Sequence, residues 1–193
     1  ELGKRLGYQA DQSASIKEAK ALMKAAGYEK GITGLDFLVR EVASFKLWSQ
    51  AIQAMLQQIG VECTLRTVVE SVWFDDAKTG NFDVALGVIV SALLDPSDYF
   101  NAWYKTTGPQ NTSFWNNPKA DELFLAIDRE VDTAKRLSLI RQAEKLMEDD
   151  PPMLPICWEK INDAWYTHVK GLYPQNYFGI YDVNRYDTVW LDK

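Results

Sequence analysis

Apolar residues recur along this sequence in two rhythms, helical and alternating, and one stretch is nearly without polar gaps. That stretch, Phe82 to Val90, predicts a strand covered on both faces, as in a parallel sheet flanked by helices. It runs into Asp95-Pro96, where proline removes an N–H donor and biases the preceding residue away from helix. In open α/β sheets the carboxyl ends of the strands are where ligands bind.

The remaining elements fall on either side. Ser15 to Ala26 places Ile16, Ala19, Met23 and Ala26 on one helical face, with Ser13 or Ser15 as cap and Gly27 as stop. Leu35 to Arg40 predicts a strand. Ala43 to Ile59 predicts a helix with Trp48, Ile52, Met55 and Ile59 in register, ended by Gly60. Val61 to Val69 alternates as a strand, Ser71 to Lys78 is a short helix carrying Trp73 and Phe74, and Gly80-Asn81 turns into the apolar run. Strand, helix, strand, helix, strand is a right-handed α/β unit.

Beyond Pro96, Asp98 to Tyr104 predicts an aromatic helical turn. Thr106 to Asn117 reads as a polar loop that nevertheless carries Phe114 and Trp115. Pro118 to Val131 predicts a helix capped by Asn117, with Leu123, Phe124, Ile127 and Val131 on one stripe. Thr133 to Asp149 predicts its hairpin partner, with Leu137, Ile140, Leu146 and Met147 inward. Met153 to Trp158 and Ala164 to Val169 read as strands, and an aromatic tail follows to Val189-Trp190-Leu191.

Composition narrows the class. A chain of 193 residues, 47% hydrophobic, can bury roughly 70% of its unfolded surface without metal or disulfide staples. Net charge is -6 and no block of Lys or Arg occurs, which argues against nucleic acid or anionic lipid as partner. No apolar run approaches the ~20 residues of a membrane span. Glu1 to Tyr8 contains neither a methionine nor a signal-peptide pattern, and the sequence reads as an excised piece of a longer protein. Cys63 and Cys157 are too few for a metal framework, and a disulfide between them stays open.

Catalytic readings find little footing. His168 is the sole histidine, expected on a strand surface and without a nucleophile motif. Asp75 and Asp76 are adjacent on a helix and diverge, while Asp149 and Asp150 read as a helix-ending turn. No phosphate loop, HExxH or CxxC occurs, so no metal, cofactor or enzymatic activity is expected.

Several separated segments then carry a resemblance. Ala19-Lys-Ala-Leu-Met-Lys-Ala-Ala-Gly-Tyr28, Leu56-Gln-Gln-Ile-Gly-Val61 and Gly80-Asn-Phe-Asp-Val-Ala-Leu-Gly87 occur in order. They are followed by Asn111-Thr-Ser-Phe-Trp-Asn-Asn-Pro-Lys-Ala-Asp121, Asp132-Thr-Ala-Lys-Arg136, Glu148-Asp-Asp-Pro-Pro-Met-Leu-Pro155, Val169-Lys-Gly171 and Val189-Trp-Leu191. In this order they resemble the C-terminal part of the extracellular solute-binding proteins of ABC importers, family 5, the dipeptide, oligopeptide and nickel type. The resemblance implies a periplasmic-binding-protein-like α/β lobe, a mixed sheet flanked by helices, over residues 1–172. It implies that residues 173–193 return to an N-terminal lobe absent from this sequence. The aromatic tail, Tyr173, Tyr177, Phe178, Tyr181, Tyr186 and Trp190, would then lack its partner, so self-association of the fragment is expected.

The implied function is capture of a small solute, a peptide, oligosaccharide or similar molecule, between two lobes and delivery to an inner-membrane ABC permease. The implied location is periplasmic or extracellular, lipid-anchored in a Gram-positive organism. A ligand-sensing domain of a receptor or transcriptional regulator is the alternative. The strand ends nominate Arg40, Glu41, Ser91, Ala92, Leu93 and Asp95 as ligand contacts, with Phe114, Trp115 and Trp158 nearby. Against these stand structural roles: lobe packing for Trp115 and Trp158, an ion pair with Glu41 or Asp36 for Arg40, and a loop or cap role for Asp95. One departure matters. Peptide-binding members usually carry W-x-x-D-x-x-D-P here, and this sequence has Ile89 and Ala92 in place of the Trp and the first Asp. A peptide ammonium would therefore lack that charge partner unless another acid, such as Glu41 or Asp98, substitutes.

Overall fold

Phe37, Leu38 and Val39 are consecutive and all essentially inaccessible, at 1%, 0% and 0% exposure. Side chains alternate along a strand, so three buried neighbours in a row require cover on both faces. The computed structural model, which describes residues 10–91, 93, 95–157, 164–172 and 187–192, shows that cover. The elements are α1 (Ser13–Ala25), β1 (Ile32–Arg40), α2 (Ala43–Gln57), β2 (Val61–Val68), α3 (Glu70–Thr79) and β3 (Val84–Ala85). There follow α4 (Pro96–Tyr99), which continues as a π-helical turn over Phe100–Tyr104, then α5 (Pro118–Arg129), α6 (Thr133–Asp149), β4 (Val169–Lys170) and β5 (Trp190–Leu191). They form two compact units that divide at Gly87 and Val88.

In the first unit the sheet is parallel with order β2-β1-β3. Phe37 and Val39 pack with Phe45, Cys63 and Leu86, and with Trp48, Ile52 and Leu56 of α2. Leu38, on the other face, packs with Trp73 and Ala77 of α3. Burying such a side chain stabilises by roughly 1.5–3 kcal/mol. β1 is therefore the strand covered on both faces, and the expectation for Phe82 to Val90 is corrected. Only Val84 and Ala85 pair with a neighbour, Phe37 and Leu38, and Val88 is 37% exposed. The reason is position. β3 joins one side of β1 for two residues, and Gly87 then lies against the Trp73 ring, where an added Cβ would come within 3.2 Å.

The turns entering β1 and β2 back onto each other through two glycines. Gly31 has φ +88°, and a Cβ there would meet the Gly60 carbonyl oxygen at 2.4 Å. That oxygen instead accepts from the Ile32 N–H at 2.9 Å, which sets the start of the β1 and β2 pairing. At the other side of the unit, Arg66 donates to Asp36, to Asp76 and to the Asn81 carbonyl, tying β2 to β1 and to the end of α3. The guanidinium, followed by the Asn81 amide, holds the Asp76 carboxyl below the usual carboxylate range.

The second unit is built on the α5 and α6 hairpin. Phe100, Trp115, Ala120, Phe124, Ile127, Ile140 and Ala143 form its core, with the Phe100 and Phe124 rings stacked at 4.8 Å. α5 is capped by Asn117, whose side chain accepts from the Ala120 N–H, and α6 by Asp132, which accepts from the Lys135 N–H. α1 differs from expectation: Gln12 is its N-cap residue and Ser13 and Ser15 lie within the helix. Val131, expected on the α5 stripe, lies past the helix end and is 94% exposed.

The strand expected from Met153 is absent through Cys157. Pro152 and Pro155 remove the N–H groups a ladder would need, and Trp158 lies outside the described residues. The strand expected over Ala164 to Val169 reduces to β4, which pairs antiparallel with β5. His168 is exposed in the turn before β4, its ring stacked on Tyr166. Cys63 is buried and Cys157 exposed, and both are free. Most of the tail on which self-association is expected lies outside the described residues. No helix among the described residues is long and apolar enough to cross a membrane.

Candidate functional site

Two groups of nominated residues can be placed, one in each unit. In the first, Arg40 is the last residue of β1, at the carboxyl edge of the sheet. Its guanidinium carbon lies 5.2 Å from the Phe45 ring centre, 5.6 Å from Phe74 and 5.9 Å from Trp73. A flat, weakly hydrated cation suits such a surround. Its Nη2 donates to the Glu70 carboxylate. The side chain of Arg40 is 18% exposed and that of Glu70 61%.

Arg40 Nε and Trp73 Nε1 are both buried and have no hydrogen-bond partner among the described residues. Buried donors are normally paired, so two of them in one aromatic cluster single this edge out as a candidate site. Val42 and Val69, 41% and 52% exposed, add apolar surface at the same edge.

The pairings differ from those weighed on the sequence. Arg40 pairs with neither Glu41 nor Asp36. Glu41 pairs with Lys46, and Asp36 with Arg66. Four residues of strand separate Asp36 from Arg40 by roughly 13 Å. The parallel neighbour supplies the partner instead, because Arg40 stands opposite Val68 and Glu70 follows two residues later. Glu70, Trp73, Phe45 and Phe74 were not nominated as site residues on the sequence, although Trp73 and Phe74 were placed on their helix. The β1 and β2 register is the signal that would have found Glu70.

In the second unit the segment after Gly87 is held by polar contacts. Ser91 is 1% exposed, and its hydroxyl donates to the carboxylate of Asp98 at 2.6 Å. Leu93 is exposed. Asp95 caps α4 by accepting from the Ser97 N–H at 2.8 Å and receives the Arg136 guanidinium at 2.6 Å. Arg136 and then the Ser97 amide hold its carboxyl below the usual range, and Asp95 in turn raises the Arg136 pKa. Ala92 lies outside the described residues.

Phe114 and Trp115 are adjacent with opposite surroundings. Trp115 is in the core, and its Nε1 donates to Asp150 at 2.8 Å. Phe114 is 55% exposed at φ +56°, the one non-glycine with positive φ among the described residues. That backbone is costly for a residue with a Cβ. It is imposed by Asn111, whose amide donates to the Trp115 carbonyl at 2.9 Å, and by Ser113, which donates to Asn111 at 3.0 Å. A strained backbone presenting an exposed aromatic is the kind of outlier found at binding surfaces. Among the described residues no group of three His, Cys, Asp or Glu side chains could hold a metal ion.

Residues 4–111 match the family described as bacterial extracellular solute-binding proteins, family 5 Middle. The dipeptide-binding protein DppE of Bacillus subtilis is 26% identical over 174 residues, which cover 89% of this chain and 30% of that protein. The probable deoxycholate-binding periplasmic protein YgiS of Escherichia coli is 25% identical, covering 88% of this chain and 32% of its own length. Among solved structures, the periplasmic binding protein DppA of Helicobacter pylori in complex with the peptide STSA superposes with a TM-score of 0.76. It covers 100% of this chain and 37% of that one at 22% identity, a likeness of fold. The chain thus spans about a third of the length of the curated relatives it matches.

Proposed function

Because this chain belongs to the bacterial extracellular solute-binding proteins of family 5, we propose that it is part of the solute-capturing component of an ABC importer. The full-length protein holds a small organic solute and passes it to a membrane permease. It works outside the cytoplasmic membrane, in the periplasm or tethered to the cell surface. Residues 1–172 act as the C-terminal lobe, and residues 173–193 return to the remainder of the protein.

The observation that carries this reading is Arg40. A guanidinium fixed among three aromatic rings at the carboxyl edge of a parallel sheet, its buried Nε without an acceptor among the described residues, suits a polar group on an otherwise apolar solute. In the second unit, taken by itself, Leu93 and Phe114 are exposed apolar side chains, and Asp95, Ser91 and Trp115 hold the segments that carry them. Glu41, engaged by Lys46, sits at the rim. Names among the relatives speak of dipeptide and of deoxycholate, and both fit an amphipathic organic solute. Ile89 and Ala92 argue that an amino terminus is not the main handle.

Thermal-shift screening of the full-length protein tests it, using short peptides, N-acetylated peptides, bile acids and oligosaccharides. A ligand at a hundred times its Kd adds about 2.7 kcal/mol to stability. A rise in Tm that Arg40→Ala abolishes is the expected result. A flat profile across the library, or a response indifferent to Arg40, would overturn the proposal.

A further inference from the structure

Arg40 and Glu70 form an asymmetric pair. The guanidinium is enclosed by Phe45, Trp73 and Phe74, so it cannot leave without emptying an aromatic cage. Glu70 is 61% exposed, begins α3, and its carboxylate holds Arg40 through a single guanidinium nitrogen. One partner is fixed and the other is free to swing into water. A pair of this exposure is intrinsically weak, because solvent competes for the carboxylate. The fixed partner also has a second donor, Nε, buried and without a partner among the described residues.

We propose that Glu70 is a built-in competitor for Arg40: it neutralises the guanidinium in the empty protein and is displaced by an anionic group of the solute. This rests on the solute-capture reading above and deepens it by naming the solute class, organic acids with an apolar body. A neutral solute leaves the Arg40 and Glu70 pair in place, so its affinity does not depend on Glu70. A carboxylate takes the Nη2 that Glu70 leaves, and two oxygens suit the planar fork. Glu70 thereby lowers the affinity of every acid that binds, since each must first break the resident pair, while Arg40 supplies the preference for a negative charge. It also keeps a cation at the sheet edge from standing without a counterion.

Calorimetric titration of the full-length protein with N-acetyl dipeptides, each as free acid and as primary amide, tests the proposal. In the wild type the acids bind more tightly than the amides. Glu70→Gln raises the ratio of acid to amide affinity by about five-fold, equivalent to about 1 kcal/mol. Glu70→Ala does the same, and neither has any effect on the ratio when combined with Arg40→Gln. A purely structural role for Glu70 would weaken acids and amides together and leave the ratio alone. A ratio that is unchanged or lower in both variants overturns the competitor. Acids and amides binding equally to wild type would leave solute capture standing while removing the anion preference and Glu70's part in it. Binding of no member would count against peptide-like solute capture itself, and this inference would fall with it.

Discussion

Arg136, in the first turn of α6, donates to Asp95 at 2.6 Å and to Ser97 at 2.9 Å, joining two segments 41 residues apart at the start of α4. Asp95 is thus at once a helix cap and half of an ion pair, and the two roles can be separated. Asp95→Asn keeps a capping oxygen and loses the charge, whereas Asp95→Ala loses both, at about 1 kcal/mol for the cap. The Asp95 carboxyl is held below its ordinary range, so its contribution is present above the unfolded pKa and fades as pH falls through the folded one. Urea unfolding between about pH 5 and pH 2 should show stability decreasing toward acid, and Asp95→Asn should flatten part of that slope. The side chain is 41% exposed, so solvent screening keeps the change small.

Phe114 should be replaceable by asparagine without loss of stability and yet matter for binding. Asparagine tolerates its left-handed backbone, so Phe114→Asn should leave Tm unchanged or raise it. Phe114→Val should lower stability by about 1–2 kcal/mol, because a β-branched residue fits φ +56° worse. Solute affinity of the full-length protein, measured by calorimetry, should fall in both.

Gly31 and Gly27 share φ +88° but differ in surroundings. Gly27→Ala meets nothing within 4 Å and should cost about 1 kcal/mol in backbone strain alone. Gly31→Ala drives a methyl to 2.4 Å from the Gly60 carbonyl oxygen and should cost at least twice as much in chemical denaturation. Equal effects would mean that the two turns do not back onto each other.

Trp115 is held by packing and by one hydrogen bond. Trp115→Phe removes the donor to Asp150 and should destabilise by about 1–3 kcal/mol, part of it from shrinking the core side chain. Asp150→Asn retains an acceptor and should cost less, as read from denaturation midpoints.

Much of the fold was legible because burial enforces periodicity. α2, α5 and α6 follow the spacing of their apolar residues, and Asn117-Pro118 marks a helix start where the structure has one. The apolar run from Phe82 misled, since hydrophobicity reports burial and says nothing about which strand has neighbours on both sides. Asp36 to Arg40 is shorter and more polar at its ends, yet it holds the centre. At the candidate site the same limit applies. Arg40 could be nominated from its place at a strand end, but its counterion arrives through sheet register, which no local pattern encodes. Phe114 and Trp115 look alike in sequence, and only the bonds of Asn111, Ser113 and Asp150 decide that one is anchored and the other displayed.

The alternation along Phe37, Leu38 and Val39 has a kinetic corollary. These residues belong to two hydrophobic layers separated by a single thickness of backbone, so opening one should disturb the other. Their amides should exchange with solvent only through complete unfolding of the unit, far more slowly than those of α1, which buries no residue. Arg40 is the next residue in the chain. Its amide should share that slow exchange, which would give the contact proposed for Arg40 a rigid support.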